Sequence, residues 1–408
     1  MSTTILIIGT VWPEPGSSAG GSRTMQLAGL FRSQGWSVVF ASAASESEFA
    51  ADFDVLGIEK VPVALNDPAF DDFIKKLQPD IVMFDRFMTE EQFGWRVAEN
   101  CPDALRLLDT IDLHCLRRAR HAALKQQRDF TFDDLFSDVA KREIASILRC
   151  DISLMISDVE MDVLKEYFRV SEELLHYIPF LLEPADESLF RPFSERKGFV
   201  TIGNFLHEPN WDSVKYLKEA IWPLIRKQLP EAEMNVFGAY ASQKVEQLHK
   251  PSEGFFIRGR AKDAMQVIAG AKVLLAPLRF GAGIKGKLVE AMQCGTPSVT
   301  TNIGAEAMHG NYEWNGIIAD DAREFAAAAV KIYSDEELWK RLQQKGAVII
   351  NEFYPKKIHS ERLLKRILFV REHIQKHRLN NFYGAMLMHH TLASTKYMSR
   401  WIEEKNRK

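Results

Sequence analysis

The sequence predicts an α/β protein made of two doubly wound domains that face each other across a cleft. Short apolar runs of strand length alternate with amphipathic helical segments, the order that builds a parallel sheet covered by helices. The alternation also starts twice, once at residue 5 and again at residue 199, after a proline-punctuated stretch at 178–191 (IPFLLEPADESLFR). A chain of 408 residues has the length for two or three domains with full cores.

Residues 5–9 (ILIIG) are continuously apolar, as a strand buried on both faces of a parallel sheet must be. The polar loop that follows carries GSSAGGSR at 16–23 and leads into a helix from about 22 to 34. Further strands are expected at 37–41, 81–84, 105–108 and 152–156, with amphipathic helices such as 71–77 and 90–99 between them. The stretch 118–149 reads as a charged helical excursion with a solvated face. Residues 178–191 form the interdomain linker. The second series of strands is expected at 199–203, 234–237, 255–258, 273–276, 298–301 and 316–319. This divides the chain at 1–180, 181–354 and a helical remainder at 355–408.

Composition narrows the function classes. The chain is 46% hydrophobic and 26% charged with a formal net charge of −3, which gives no reason to expect a nucleic-acid partner. Cys101, Cys115, Cys150 and Cys294 are far apart and form no CxxC pair, so neither a disulfide framework nor a structural zinc site is expected. Residues 5–9 are too short and lack the basic leader of a signal peptide, and no apolar run approaches a membrane span. The expectation is a cytoplasmic chain.

Chemistry concentrates at 277–299 (PLRFGAGIKGKLVEAMQCGTPSV). An apolar run gives way to a loop with Gly281 and Gly283 and then to a helical segment. Strand, glycine loop and helix start together present backbone N–H groups to phosphate. Arg279, Lys285 and Lys287 cluster at a helix end whose dipole is itself positive, which implies an anion between them. Glu290 lies one turn deeper, where it would either pair with Lys287 or accept two hydrogen bonds from vicinal hydroxyls. Two first-domain loops at strand ends join this candidate site. One holds Gly20, Gly21 and Arg23; the other, 108–118 (LDTIDLHCLRR), holds Asp109, Asp112, His114, Arg117 and Arg118. Asp85 and Arg86 end the preceding strand and are weaker candidates.

The string PLRxGxGxKxKxxEAMxxGxPxV at 277–299 resembles the nucleotide-sugar site of the family-4-type retaining glycosyltransferases of the GT-B fold. DTxDLHxLR at 109–117 is similar to a signature of bacterial polysaccharide and lipopolysaccharide members. The resemblance implies that Gly281, Gly283, Ile284, Lys285 and Glu290 bind the donor, with Arg260, Ala261 and Gly203 beside the nucleotide. It puts His114 near the transferred sugar and Gly20 and Gly21 against the diphosphate or the acceptor. It also implies a C-terminal helix crossing back to the first domain, and catalysis with no metal and no protein nucleophile. Two departures stand out. Asn204 occupies the place of a usual phosphate-gripping Arg, and Ala282 that of a usual sugar-contacting Glu. Arg279 and Lys285 are therefore expected to carry the phosphate charge.

The expected function is transfer of a sugar from a nucleoside diphosphate-sugar, UDP being the commonest nucleotide in the family, to a saccharide or lipid-linked acceptor with retention. A nucleotide-sugar epimerase, a phosphorylase or a non-catalytic nucleotide-binding scaffold are the alternatives. The tail at 377–408 mixes Met and aromatic residues with Lys and Arg, which suggests peripheral contact with a membrane surface.

Overall fold

The structure is a computed structural model that describes residues 3–389 together with 397, 398, 401 and 405. Two parallel sheets form. The first comprises β1 (Thr4–Gly9), β2 (Ser37–Ser42), β3 (Glu59–Pro62), β4 (Ile81–Asp85), β5 (Leu105–Asp109), β6 (Ile152–Met155) and β7 (Leu175–Tyr177), in the order β3-β2-β1-β4-β5-β6-β7. The second comprises β8 (Phe199–Ile202), β9 (Met234–Phe237), β10 (Phe255–Gly259), β11 (Val273–Ala276), β12 (Ser298–Thr300) and β13 (Gly316–Ile318), in the order β10-β9-β8-β11-β12-β13.

Burial on both faces explains why the apolar runs are continuous. In β1, Leu6 and Ile8 enter one core cluster while Ile5 and Ile7 enter another, all four fully buried. In β11, Leu274 and Ala276 divide in the same way from Val273 and Leu275. Each such Ile, Leu or Val side chain contributes roughly 1.5–3 kcal/mol relative to exposure. Two strands were not anticipated, β3 and β7. Both are edge strands, and β3 (EKVP) is largely exposed, so neither shows the apolar run that a central strand needs.

Strand order reverses between β1 and β4 in the first sheet, and between β8 and β11 in the second. The loops after these strands open at the topological switch points, where doubly wound sheets bind ligands.

The chain crosses between the sheets twice, and the crossings are tied together. Leu182 donates its N–H to the Tyr354 carbonyl (3.2 Å), and Lys356 donates to the Leu182 carbonyl (2.9 Å). The helix Lys356–Glu372 then buries Leu363, Ile367 and Val370 in the first domain beside Ile5 and Ile7. The tail is described continuously as far as the helix Phe382–Met388 and a following residue; residues 390–396, 399–400, 402–404 and 406–408 lie outside the described residues. Among the described residues no helix is long and apolar enough to cross a membrane.

Candidate active site

The loops at the two switch points meet in a cleft of about 680 Å³ between the sheets. Its first-domain wall includes residues 11–21, Asp85, Arg86, Asp112, His114 and Arg117. Its second-domain wall includes Gly203, Asn204, Asn210, residues 238–240, Arg260, Ala261 and residues 280–282, 284–287 and 290. Three non-glycine residues lining the cleft hold positive φ: Arg86 (67°) and Ile111 (61°) from the first domain and Tyr240 (59°) from the second. Such backbone costs of order 1–3 kcal/mol per residue and collects where a site fixes its geometry.

The second-domain wall is built for an anion. The helix Gly286–Gln293 begins at Lys285, whose side chain supplies no cap, and the N–H groups of Gly286 and Lys287 have no partner among the described residues. They are the orphan donors of a helix N-terminus, and they open onto the cleft. Lys285 is 8% exposed, and its Nζ donates only to its neighbour's carbonyl, Gly283 O, at 2.8 Å. Lys287 is half-buried and donates to Asn210 Oδ1 at 2.8 Å rather than to Glu290. Burial pulls both lysines down to about 8. Burial pushes Glu290 up against the pull of Lys287, and its carboxylate has no hydrogen-bond partner among the described residues.

Across the cleft, the helix Ala19–Ser33 points its own N-terminus at this loop. Ser18 caps it by accepting from Gly21 N–H at 3.0 Å. The approach is tight: a Cβ added to Gly286 would lie 2.6 Å from that of Ala19, and one on Gly21 would strike the backbone of Glu14 at 2.6 Å. His114 starts the helix His114–Lys125, is 5% exposed, and places Nε2 3.2 Å from Asp112 Oδ1. Burial raises the Asp112 carboxyl, but Arg117 and His114 outweigh it and hold the group well below the usual carboxylate range. Leu113, at the N-cap, has no side-chain acceptor to offer. Two carboxylates from other helices replace it: Glu143 accepts from the N–H groups of His114 and Cys115 (2.9 Å each), and Glu160 from Leu113 (3.1 Å).

Of the residues singled out in the sequence, the cleft brings together His114, Lys285, Gly281, Ile284, Glu290, Arg260, Ala261, Gly203, Gly20 and Gly21, with Asn204 and Ala282 on the same wall. It does not bring in Arg279, Arg23 or Gly283. Arg279 is held by both oxygens of Asp212 (Nε at 2.9 Å) and lies over the Tyr216 ring, so its charge is already committed outside the cleft. Arg23 is 1% exposed in a 2.9 Å pair with Asp109 and donates to the linker carbonyl of Ile178 at 2.6 Å. It fastens the linker to the first domain. Gly283, at φ +64°, turns its N–H to Glu160. Arg118 is exposed and off the cleft wall.

The charged stretch from 118 onward also departs from the expected solvated excursion. Arg120 donates to the Gly281 carbonyl (2.9 Å) and to both oxygens of Glu306 (2.8 and 2.7 Å) in the opposite domain. His121 stacks on Phe280 at 4.2 Å and meets Glu208 at 2.9 Å. Helical periodicity marks a face as charged but does not tell whether water or another domain lies against it. Charge periodicity accordingly does not assign Glu143, Glu160 or Arg120 to the site, whereas Lys287 is one of the three cations expected there. For Glu160 a signal existed: Ser157 and Glu160 have capping-box spacing. Ser157 Oγ does accept from Glu160 N–H at 3.2 Å, while the Glu160 carboxylate turns away to other partners.

Residues 196–335 match the family model described as Glycosyl transferases group 1. The match lies within the second domain and covers about a third of the chain. The two-sheet architecture around it is the GT-B fold, shared with sucrose-phosphate synthase of Thermosynechococcus elongatus (TM-score 0.67, 16% identity, 90% of this chain and 99% of that one). Anabaena HepE, solved with UDP and glucose, superposes at TM-score 0.67 with 11% identity over 90% of this chain and 99% of that one. S. aureus TarM, solved with Fondaparinux, alpha-GlcNAc-glycerol and UDP, superposes at 0.57 with 14% identity; there the match covers 72% of this chain and 57% of TarM. No curated protein sequence matches. Lys285, Lys287 and Glu290 on the cleft wall thus lie within the residues that match this model.

Proposed function

We propose that this protein transfers a sugar from a nucleoside diphosphate-sugar to a saccharide or lipid-linked acceptor, with retention of anomeric configuration. One observation carries the reading: an unpartnered helix N-terminus and two poorly solvated lysines converge on the cleft wall of the second domain, within the family match. Burial disfavours both ammonium groups by more than Glu306 and Glu290 offset, and a bound diphosphate supplies further counter-charge. The same groups stabilise the departing diphosphate during transfer, and preorganised charge of this kind is usually the largest catalytic contribution. Glu290 accepts from the ribose hydroxyls, and His114, fixed by Asp112, faces the transferred sugar. The leaving phosphate takes the acceptor proton, so the scheme needs neither a metal nor a protein nucleophile. UDP is the first nucleotide to test, since HepE and TarM were both solved with it. Peripheral contact with a membrane surface belongs to the same reading, on the exposed Leu379, Phe382, Tyr383 and Met386 near the end of the described chain.

A thermal-shift screen over UDP, GDP, ADP, dTDP and their sugars tests the donor class, because a ligand bound only by the native state raises the melting temperature. With the donor found, Lys285→Ala should lower turnover by about a hundredfold or more, the usual cost of one such donor. Near-normal turnover would remove Lys285 from the mechanism. NMR of the product decides retention. Epimer formed from the nucleotide-sugar alone would favour the epimerase reading, and nucleotide binding without transfer would favour a scaffold, for which Ala282 on the cleft wall is the motive.

A further inference from the structure

Glu160 is fully buried at the start of the helix Asp158–Phe168 in the first domain. One carboxylate oxygen, Oε1, accepts from two backbone N–H groups that belong to different domains. Leu113, at the N-cap of the His114 helix, donates at 3.1 Å; Gly283, in the glycine loop of the second domain, donates at 2.7 Å. The other oxygen, Oε2, is buried without a partner. Two residues away in the same loop, the Gly281 carbonyl accepts from Arg120 of the first domain at 2.9 Å. First-domain side chains therefore hold this loop on both sides of Ala282 by its backbone, whatever side chain stands at that position. Gly283 suits the role: a Cβ there would lie 2.9 Å from Asp112 Cβ and 3.0 Å from the Ile111 carbonyl.

We propose that Glu160 is a positioning residue, an interdomain latch whose single shared acceptor fixes the glycine loop, and with it Lys285, against the N-terminus of the His114 helix. The inference rests on the transfer reading for its catalytic consequence, while the latch itself stands on the geometry. Burial pushes the Glu160 carboxyl up to about 8; Asp112 adds to this, and the two N–H groups and Lys285 oppose it. Near neutral pH the group is thus largely the uncharged acid, and glutamine is a close substitute that keeps the carbonyl acceptor. Methionine keeps the volume and removes the acceptor, leaving two buried N–H groups unpaired.

The test uses the full chain with Glu160→Gln and Glu160→Met. Hydrogen exchange over residues 277–288 is followed without nucleotide, alongside melting temperature and steady-state transfer. In the wild type the Gly283 amide should exchange slowly, and a rate like that of an exposed loop overturns the latch before any variant is made. In Glu160→Met that exchange should accelerate by about tenfold or more, and turnover should fall by at least about tenfold with less change in donor KM. Glu160→Gln should restore both to within about threefold. Unchanged exchange and turnover in Glu160→Met would overturn the proposal. So would equal losses in both variants that track a common fall in melting temperature, since that marks a cap serving stability alone. A wild-type chain that transfers no sugar would sink the functional reading instead, and the exchange comparison would still decide the latch.

Discussion

The site is decided by where a few charges are allowed to go. Arg279 and Lys285 stand six positions apart in one motif, yet one is spent on Asp212 and the other is confined at the cleft wall. Lys287 complements it from the first turn of the same helix, where it donates to Asn210. This follows from the pleat and the helix turn, which send neighbouring side chains to different environments, so a motif read as a block of cations overstates how many face the ligand. Because burial lowers both lysines to about 8, protons leave them as pH rises through that value, and diphosphate binding favours their protonated forms. Nucleotide affinity should therefore fall above pH 8, by up to about tenfold per pH unit for each lysine, with proton uptake on binding near pH 8. Calorimetry in buffers of different ionisation enthalpy measures both; affinity that holds constant from pH 7 to 9 would count against the lysine pair as the anion site.

At the scale of elements, two helix N-termini are brought nearly into contact, Ala19–Ser33 from one domain and Gly286–Gln293 from the other. Glycine at 286 is what permits it, for Ala19 leaves no room for a Cβ. Gly286→Val should hold the two ends apart and hinder closure of the cleft. Its own helix should be preserved, since the strain falls between domains and not within one. The expected result is turnover reduced by about tenfold or more with melting temperature changed by only a few degrees. Turnover equal to wild type would show that the close approach is dispensable. The helix His114–Lys125 follows a related logic. Its N-terminus lacks a local cap and is satisfied by Glu143 and Glu160 from elsewhere, which ties the position of His114 to tertiary packing. No pattern local to residues 108–118 could have disclosed that.

At the scale of the molecule, the paired crossings at Leu182 and Tyr354–Lys356 give the two domains a common waist, while Arg120, His121, Glu160 and Tyr240 span the cleft itself. The exposed apolar residues near the end of the described chain lie on the helices that cover the first domain. If they meet a bilayer, full-length protein should pellet with anionic liposomes and protein truncated after residue 377 should not; equal pelleting would remove the tail from the reading. The strands of both sheets were legible in the chain because a strand buried on two faces must be apolar at every position, as in 5–9 and 273–276. The glycine loop and its helix were legible because few arrangements present backbone N–H groups to an anion. The edge strands β3 and β7 were not, since one or both faces meet water or loop and the apolar signal disappears. Nor were the partners of Arg279, Arg23, Arg120 and Glu160. Local sequence determines which backbone groups and charges exist and how they repeat along an element. Which of them pair, across 67, 86, 186 and 123 positions of chain, is settled only when two separately folded sheets close on each other and each buried charge must find a partner or give up its charge.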